Sequence, residues 1–201
     1  MPKAYERFAG NSAFIVATLT FVYAIAFVIG LRLEPLAVDI TRASVLMTSG
    51  IFTVAVFVGL YTALRPIDEG FSLLALLLGF AGGIGSAIHG AYDAATFLRP
   101  PLDELPELPN AVDPRGFLTF GMVAIAIALF SVLMTQTDRF GPQVITLGYI
   151  ATGLLELLFV SSLVGLTSVL NIASLLLGFV VYPAWFIMIG LSLRRPIASG
   201  T

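Results

Sequence analysis

The sequence predicts an all-α, polytopic membrane protein, a bundle of six transmembrane helices forming one integral membrane domain over residues 1–201. Of the 201 residues, 58% are hydrophobic and 11% are charged, whereas soluble domains carry about 25% charge. Mean hydropathy is +1.01. A spanning helix needs about 20 apolar residues, and the chain has six such uninterrupted runs, at about 12–31, 44–64, 71–93, 117–135, 143–167 and 170–192. Because the runs lack the alternation of barrel strands, helices are expected.

The first run is expected to be a retained helix. It follows MPKAYERFAGN and contains FIVATLTFVYAIAFVIGL. A signal peptide has a shorter apolar core, roughly 7–15 residues, followed by a small-residue cleavage site. This run is longer and is followed by Arg32, Leu33, Glu34 and Pro35, so the signal-peptide interpretation is disfavoured.

The third run carries small residues at a spacing of four in GFAGGIGSAIHGAYDAATF. Gly79 and Gly83 are four apart, and so are Ser86 and Gly90. Residues four apart share one face of a helix, and small ones let a second helix approach closely. We therefore expect this small-residue stripe (Gly79, Gly83, Ser86, Gly90) to be a helix-packing face.

His89 and Asp93 are also four apart in the last turn of the third run, with Tyr92 between them. An i, i+4 carboxylate can accept the imidazole N–H, as in metal sites and general bases, although an ordinary helix-end hydrogen bond has the same spacing. Two donors are too few for zinc, and a haem would need a methionine or a second subunit because His89 is the only histidine. No metal and no cofactor are expected.

The fifth run contains a carboxylate, Glu156, near its middle. An ionised carboxylate there costs about 2.5–3.5 kcal/mol or more. Tyr149, Thr152 and Gly153 fall on the same side of the helix as Glu156. We expect this face to point into the bundle. Two interpretations stay open: a proton relay or ligand contact, and a structural hydrogen bond between helices.

Two further features of the sequence depend on proline residues. The connection 98–116 holds five prolines and several acids, which predicts an extended acidic strap, with a plain connector as the alternative. Pro183, in the sixth run, cannot donate to the carbonyl of Phe179 and should kink that helix.

Charge sets the expected orientation and excludes some partners. Six of the ten Lys and Arg residues fall on the side of the termini, which predicts cytoplasmic N and C termini. With a net charge of −2, the chain lacks the excess of positive charge that nucleic-acid binding requires. The absence of cysteine excludes disulfides and thiolate metal sites.

Three segments resemble a bacterial group of multi-pass membrane proteins of unknown function. LYTALRPIDEGFSLLALLLGFAG has their Leu-Arg-Pro turn between the second and third spans, GSAIHGAYDAATFLRPP has their His-Gly-x-Tyr-Asp segment, and VVYPAWFIMIGLSLRRP is similar to their closing helix. The resemblance covers about half of the chain. It implies a bacterial inner-membrane protein and no particular reaction.

Two function hypotheses follow. The first is a non-enzymatic accessory subunit or small-ligand-binding bundle that docks through the small-residue stripe. The second is a small transporter or proton-coupled carrier in which Glu156 is the coupling carboxyl and His89 with Asp93 lines the outer entrance. A third hypothesis, with less support from the sequence, is a membrane-embedded enzyme or redox protein that uses His89. The expected partners are the lipid bilayer, other membrane subunits or a second copy of the chain, and no nucleic acid.

Overall fold

The computed structural model describes residues 4–33, 36–98 and 112–195, and within them it contains helices and turns but no strands. Six helices are long and apolar enough to cross a bilayer, as the sequence predicts. They are α1 (Ala4–Leu33), α2 (Leu36–Leu64), α3 (Glu69–Leu98), α4 (Pro114–Met134), α5 (Pro142–Val164) and α6 (Thr167–Arg194). The chain is therefore a multi-pass integral membrane protein with an all-α six-helix fold.

The helices extend beyond the apolar runs from which they are predicted. α2 begins at Leu36 rather than near residue 44, and this places Asp39 and Arg42 inside the helix instead of in a connection. α1 and α3 each have 30 residues, about 45 Å at 1.5 Å per residue, which exceeds the roughly 30 Å of hydrocarbon. Hydropathy detects only the part of a helix that lies in lipid, so polar end turns escape it.

Local sequence explains several helix ends. The Asp68 carboxylate accepts the backbone N–H of Phe71 at 2.8 Å and caps α3. Pro142 occupies the first turn of α5, where a missing N–H costs nothing. Gly165 ends α5 with a φ of +74°, a left-handed conformation that favours glycine.

The six helices form a closed ring. Each packs against the next one along the chain, and α6 packs against α1. The closing contact is tight, since a Cβ on Gly190 would lie 2.8 Å from the carbonyl oxygen of Gly10. We call the end of the ring where α1 begins and α6 finishes the terminal end, and the opposite end, where α1 finishes and α2 begins, the distal end.

The terminal half of the ring is filled by a solid core. Phe57 of α2 stacks on Phe130 of α4 with ring centroids 5.7 Å apart. Trp185 of α6 packs edge-on against Phe186 at 4.9 Å. All four rings are buried, so large aromatic side chains close this half of the bundle. Exposed apolar side chains, including Phe71, Leu77 and Ile172, cover the outside of the ring, as lipid contact requires.

The small-residue stripe packs within the chain. A Cβ on Gly83 would lie 3.0 Å from the carbonyl oxygen of Gly50, and one on Gly90 would lie 2.5 Å from that of Ala43. Both contacts are made to α2, and Gly79, Gly83, Ser86 and Gly90 are all buried. The predicted helix packing is confirmed. The expectation that this stripe docks a partner is wrong, because α2 already occupies it.

Two helices contain π-helical turns. Leu177–Val181 of α6 is π-helical directly before Tyr182 and Pro183. Proline lacks an N–H and its ring crowds the carbonyl four residues back, so a widened turn accommodates it. The structure therefore has a π-helical turn directly before the proline at which the sequence predicts a kink. α4 has a second π-helical stretch, Phe117–Met122, next to its distal end.

The terminal end is tied together by one buried ion pair. Arg139, in the connection between α4 and α5, donates to both carboxylate oxygens of Glu6 at 3.2 and 3.1 Å. The same guanidinium donates to the backbone carbonyl of Leu193 at 3.2 Å. The pair therefore links α1, the α4–α5 connection and α6. The acidic strap predicted for the connection after α3, with Asp103, Glu104 and Glu107, lies outside the described residues.

Candidate functional site: a cavity in the distal half

A cavity of about 390 Å³ occupies the distal half of the ring, and all six helices contribute to its wall. Small-molecule sites in proteins typically measure about 300–1,000 Å³. Its lining extends from end-turn residues such as Asp39 and Phe97 to Val16, Val123 and Phe186 near the middle of the bundle. Below these residues lies the aromatic core of the terminal half, so the cavity is closed on that side.

Two polar pairs, Asp39–Arg42 and His89–Asp93, line the cavity near the distal end. Arg42 Nη1 lies 3.3 Å from Asp39 Oδ1, three residues earlier on α2. His89 Nε2 lies 3.5 Å from Asp93 Oδ2 on α3, so the spacing of four does bring the predicted pair together. The His89 and Asp93 side chains are each 34% exposed, which leaves part of each free to meet a ligand.

The two pairs form one electrostatic cluster. Asp93 interacts with Arg42 and Asp39 as well as with His89. The hydroxyl of Tyr23 on α1 interacts with both Arg42 and Asp93. The cluster therefore joins α1, α2 and α3 at the distal end and offers donors and acceptors side by side. Tyr92, which the sequence grouped with His89 and Asp93, is half-buried and is not part of the cavity wall.

Aromatic rings surround the charged cluster. The Arg42 guanidinium lies 5.9 Å from the ring centroid of Phe27, a cation–π contact. Tyr182 and Phe186 of α6, packed edge to face at 5.3 Å, form part of the deeper wall. Phe97 lies on the wall near the end of α3. The cavity thus has mostly apolar walls, with the Asp39–Arg42 and His89–Asp93 pairs toward its distal end.

A hydrogen-bonded chain crosses the wall on the α4 side. The buried Asp113 carboxylate accepts the backbone N–H of Leu118 at 2.5 Å and that of Thr119 at 3.2 Å. It also accepts the Thr119 hydroxyl at 2.7 Å. The hydroxyl oxygen of Ser86, in the small-residue stripe, lies 3.4 Å from that of Thr119 and 3.0 Å from the carbonyl oxygen of Gly82, so its one proton has two acceptors within reach. This chain fixes the start of α4 against α3.

Irregular backbone borders the cavity at two helices. Arg115 has a φ of +56°, unusual for a residue with a side chain, and Gly116 follows at +78°. Both residues line the cavity, as do Thr119 and Phe120 from the π-helical turn of α4. Leu177 and Gly178 of the π-helical turn in α6 do so too. π-helical turns and strained backbone are frequent at functional sites.

Glu156 lies apart from this cavity. Its neighbours Leu155 and Leu158 line the wall, but Glu156 is turned away from it. Tyr149 is 45% exposed, and a Cβ on Gly153 would meet no atom within 4 Å. The expectation that this face of α5 points into the bundle is wrong for both residues. Thr152 does face a neighbour: its hydroxyl lies 3.3 Å from the carbonyl oxygen of Ala124 and 3.0 Å from that of Gly148.

The orientation of α5 has a simple cause. Leu155 and Leu158 fill the interior side of the helix at the level of Glu156, so Glu156 lies on another side. When apolar residues are spread almost evenly around a helix, the positions of its polar residues do not show which side is buried. Within the described residues, no three His, Asp or Glu side chains converge as ligands for a metal ion.

Sequence reasoning missed three residues of the wall that have recognisable signals. Asp39 and Arg42 are three apart, a spacing at which helical ion pairs form, but they precede the apolar run of α2. Asp113 precedes a proline that starts α4, a common helix-start pattern. Tyr23 is an aromatic side chain in an apolar run and gives no distinguishing signal.

Comparisons of the chain with protein-family models, with curated proteins and with solved structures find no match. The resemblance to bacterial multi-pass membrane proteins stays a prediction.

Proposed function

We propose that this protein is a membrane-embedded binding protein for a small, largely apolar molecule that carries a polar group. The observation that carries the proposal is the cavity of about 390 Å³, lined by all six helices and by the Asp39–Arg42 and His89–Asp93 pairs. Ligand sites are usually concave and mostly apolar, with a few polar groups that fix orientation. This cavity combines both features.

The charged cluster suits a ligand group that both donates and accepts hydrogen bonds. Arg42 supplies N–H donors, Asp39 and Asp93 supply carboxylate acceptors, and His89 can do either. An amide, a hydroxyl or a zwitterionic head fits such a mixed set better than a single charge does. The apolar remainder of the molecule would lie against Phe27, Phe97 and the aromatic wall of α6.

The geometry favours binding over proton-coupled transport. A carrier that uses Glu156 with His89 and Asp93 needs a polar path between them, and Glu156 lies outside the cavity wall. The terminal half holds Phe57, Phe130 and Trp185, all fully buried, so we expect no opening of the cavity toward that end. A cavity reached from one end supports capture and retention of a ligand.

The expected orientation assigns the ligand to one side of the membrane. With cytoplasmic termini in a bacterial inner membrane, the distal end and its cavity face the outside of the cytoplasm. Reporter fusions to the C terminus test this part independently: a reporter active only in the cytoplasm should function, and one active only in the periplasm should not. The reverse result would place the cavity on the cytoplasmic side.

The binding proposal is tested by identifying what the purified protein carries. Ser174, half-buried on α6, lines the cavity, and Ser174→Phe should fill it with a ring. Ser168 is exposed on the same helix, so Ser168→Phe makes the same chemical change without touching the cavity. Each protein is extracted in mild detergent and analysed by native mass spectrometry.

Wild type and Ser168→Phe should retain a small-molecule adduct that Ser174→Phe lacks, while all three remain folded. His89→Gln should weaken retention without changing the cavity's shape. A wild-type protein without any adduct, or an adduct retained equally by Ser174→Phe, would contradict the proposal.

A further inference from the structure

The ring is closed between α1 and α6 from the terminal end to about the middle of the bundle. In the terminal half, Tyr182–Arg194 packs along α1. Near the middle, a Cβ on Gly178 would lie 2.9 Å from the Cβ of Ala24. At the same level the rings of Phe21 and Phe179 meet edge to face, with centroids 5.4 Å apart. Up to Gly178, therefore, the two helices are in direct contact.

Beyond Gly178, the first part of α6 leaves α1. Within the described residues, the backbone of Thr167–Leu176 runs alongside that of α5 and alongside no other helix. The distal part of α1 has α2 as its packing partner instead. We call the gap between residues 25–33 of α1 and Thr167–Leu176 of α6 the lateral slot. Because it continues to the distal ends of both helices, it is a sideways extension of the distal opening of the cavity.

The lateral slot lies at the depth of membrane hydrocarbon. From Gly178 back to Thr167 the helix rises roughly 16 Å, about half of the 30 Å hydrocarbon thickness. Exposed apolar side chains flank the slot on both helices: Ile25, Ile29, Ile172 and Leu176. The slot therefore faces the acyl chains of one leaflet, the leaflet nearer the distal end.

The inner side of the lateral slot is the cavity wall. Phe27 of α1 and Ser174 of α6 both line the cavity. Val28 comes four residues after Ala24, and Asn171 comes seven before Gly178, so each shares the helix face on which α1 and α6 meet. Val28 and Asn171 are half-buried and form the two rims. This arrangement places the slot between the cavity and the hydrocarbon.

The charges of the cavity wall favour a polar head that includes an ammonium group. In the described part of the chain the wall carries three carboxylates, two guanidiniums and one imidazole, from Asp39, Asp93, Asp113, Arg42, Arg115 and His89. Because acids outnumber arginines, a head with negative charge alone meets a net repulsion. A head with both an ammonium and a phosphate finds acceptors and donors together. Asp39 and Arg42 lie in the first two turns of α2, near the level of lipid head groups.

Resting on the binding function proposed above, we propose that the ligand is a bilayer lipid with an amine-bearing zwitterionic head, taken from the leaflet nearer the distal end through the lateral slot. The head lies at the Asp39–Arg42 and His89–Asp93 pairs. One stretch of acyl chain lies against the apolar cavity wall, and the remainder passes through the slot into the bilayer. The slot thus allows the cavity to bind a molecule larger than itself.

The test compares lipid retention with the lateral slot open and filled. The protein is reconstituted in vesicles of equal phosphatidylethanolamine and phosphatidylglycerol, released into mild detergent and analysed by native mass spectrometry. Wild type should retain phosphatidylethanolamine in preference to phosphatidylglycerol. Val28→Trp places a large ring in the slot and should lower the fraction bound to phosphatidylethanolamine by roughly tenfold or more.

Ile29→Trp is the matched control for Val28→Trp. Ile29 is the next residue and is exposed, so the same ring is added on the lipid side of α1, and retention should equal that of wild type. A dihexanoyl phosphatidylethanolamine supplied from water provides a second control. Its short chains do not need the slot, so Val28→Trp should still bind it. Thermal unfolding of each variant verifies that the bundle is intact.

The outcomes separate this inference from the binding function on which it rests. Equal retention of phosphatidylethanolamine by Val28→Trp and Ile29→Trp would overturn entry through the lateral slot. Preferential retention of phosphatidylglycerol by wild type would overturn the assignment of the head. A wild-type protein that retains a small molecule other than a lipid would overturn the inference and leave the binding function standing, whereas a protein without any adduct would overturn both.

Discussion

Glu6 and Arg139, separated by 133 positions in the chain, form a two-pronged ion pair with N–O distances of 3.2 and 3.1 Å. The Glu6 side chain is 2% exposed and that of Arg139 is 15% exposed. The planar guanidinium fork matches a carboxylate, which makes this geometry more specific than a single contact. The pair holds the first turn of α1 against the α4–α5 connection and the end of α6.

Removing one partner of this pair should destabilise the fold strongly. Glu6→Ala leaves a mostly buried cation without its anion, and such losses cost about 3–5 kcal/mol. Unfolding in detergent can be followed through Trp185, the only tryptophan, which is fully buried. Asp138→Ala, an exposed neighbour in the same connection, should change stability by less than about 0.5 kcal/mol.

A double replacement tests whether the loss comes from the unpaired charge. Glu6→Leu combined with Arg139→Met removes both charges, so it should cost clearly less than the sum of the two single changes. Strict additivity would mean that the two side chains act independently, against the geometry of the pair.

The small-residue stripe should tolerate no added methyl group at Gly90. A Cβ there would fall on the backbone nitrogen of Met47 and lie 2.5 Å from the carbonyl oxygen of Ala43. Because both atoms belong to a helix backbone, α2 and α3 must separate, and Gly90→Ala should cost about 1–3 kcal/mol. Chemical or thermal unfolding in detergent measures the change.

Gly153→Ala is the matched control for Gly90→Ala. It makes the same change where no atom lies within 4 Å, so its unfolding temperature should stay close to that of wild type. Comparable losses at Gly90 and Gly153 would show that glycine is required for some reason other than close helix packing.

Asp113 should hold the start of α4. Asp113→Ala removes the acceptor for two backbone N–H groups and the Thr119 hydroxyl, and loss of a helix cap costs about 0.5–2 kcal/mol. Hydrogen exchange of the Leu118 and Thr119 amides should accelerate more than that of amides in the terminal half of α4. Unchanged protection at these two amides would contradict the capping role.

The sequence predicts the six helices well because the patterns that indicate each helix lie within that helix. Six apolar runs, the four-residue spacing of Gly79 and Gly83, and the spacing of His89 and Asp93 each depend on neighbours within one helix, and each is realised in the structure. The π-helical turn before Pro183 follows from the same kind of local rule.

Long-range pairing is where sequence alone falls short. Arg139 has a charge that indicates orientation, but nothing within its own connection indicates that Glu6 is its partner. For Glu156 the sequence gives a signal that misleads. A polar residue within a membrane span suggests a side chain that faces the interior, but Leu155 and Leu158 occupy the interior side and Glu156 lies outside the cavity wall. Which side of a helix is buried depends on all its neighbours together.

A binding protein of this kind needs a cavity that is reached from the distal end alone, and cysteine accessibility tests this most directly. The chain contains no cysteine, so Ser174→Cys places one thiol on the cavity wall, and Ser131→Cys places one in the fully buried core. A membrane-impermeant maleimide is applied to vesicles of each orientation. Ser174→Cys should react from the distal side only, and Ser131→Cys from neither side. Comparable labelling of Ser174→Cys from the terminal side would reveal a path through the bundle and contradict a binding protein closed at that end.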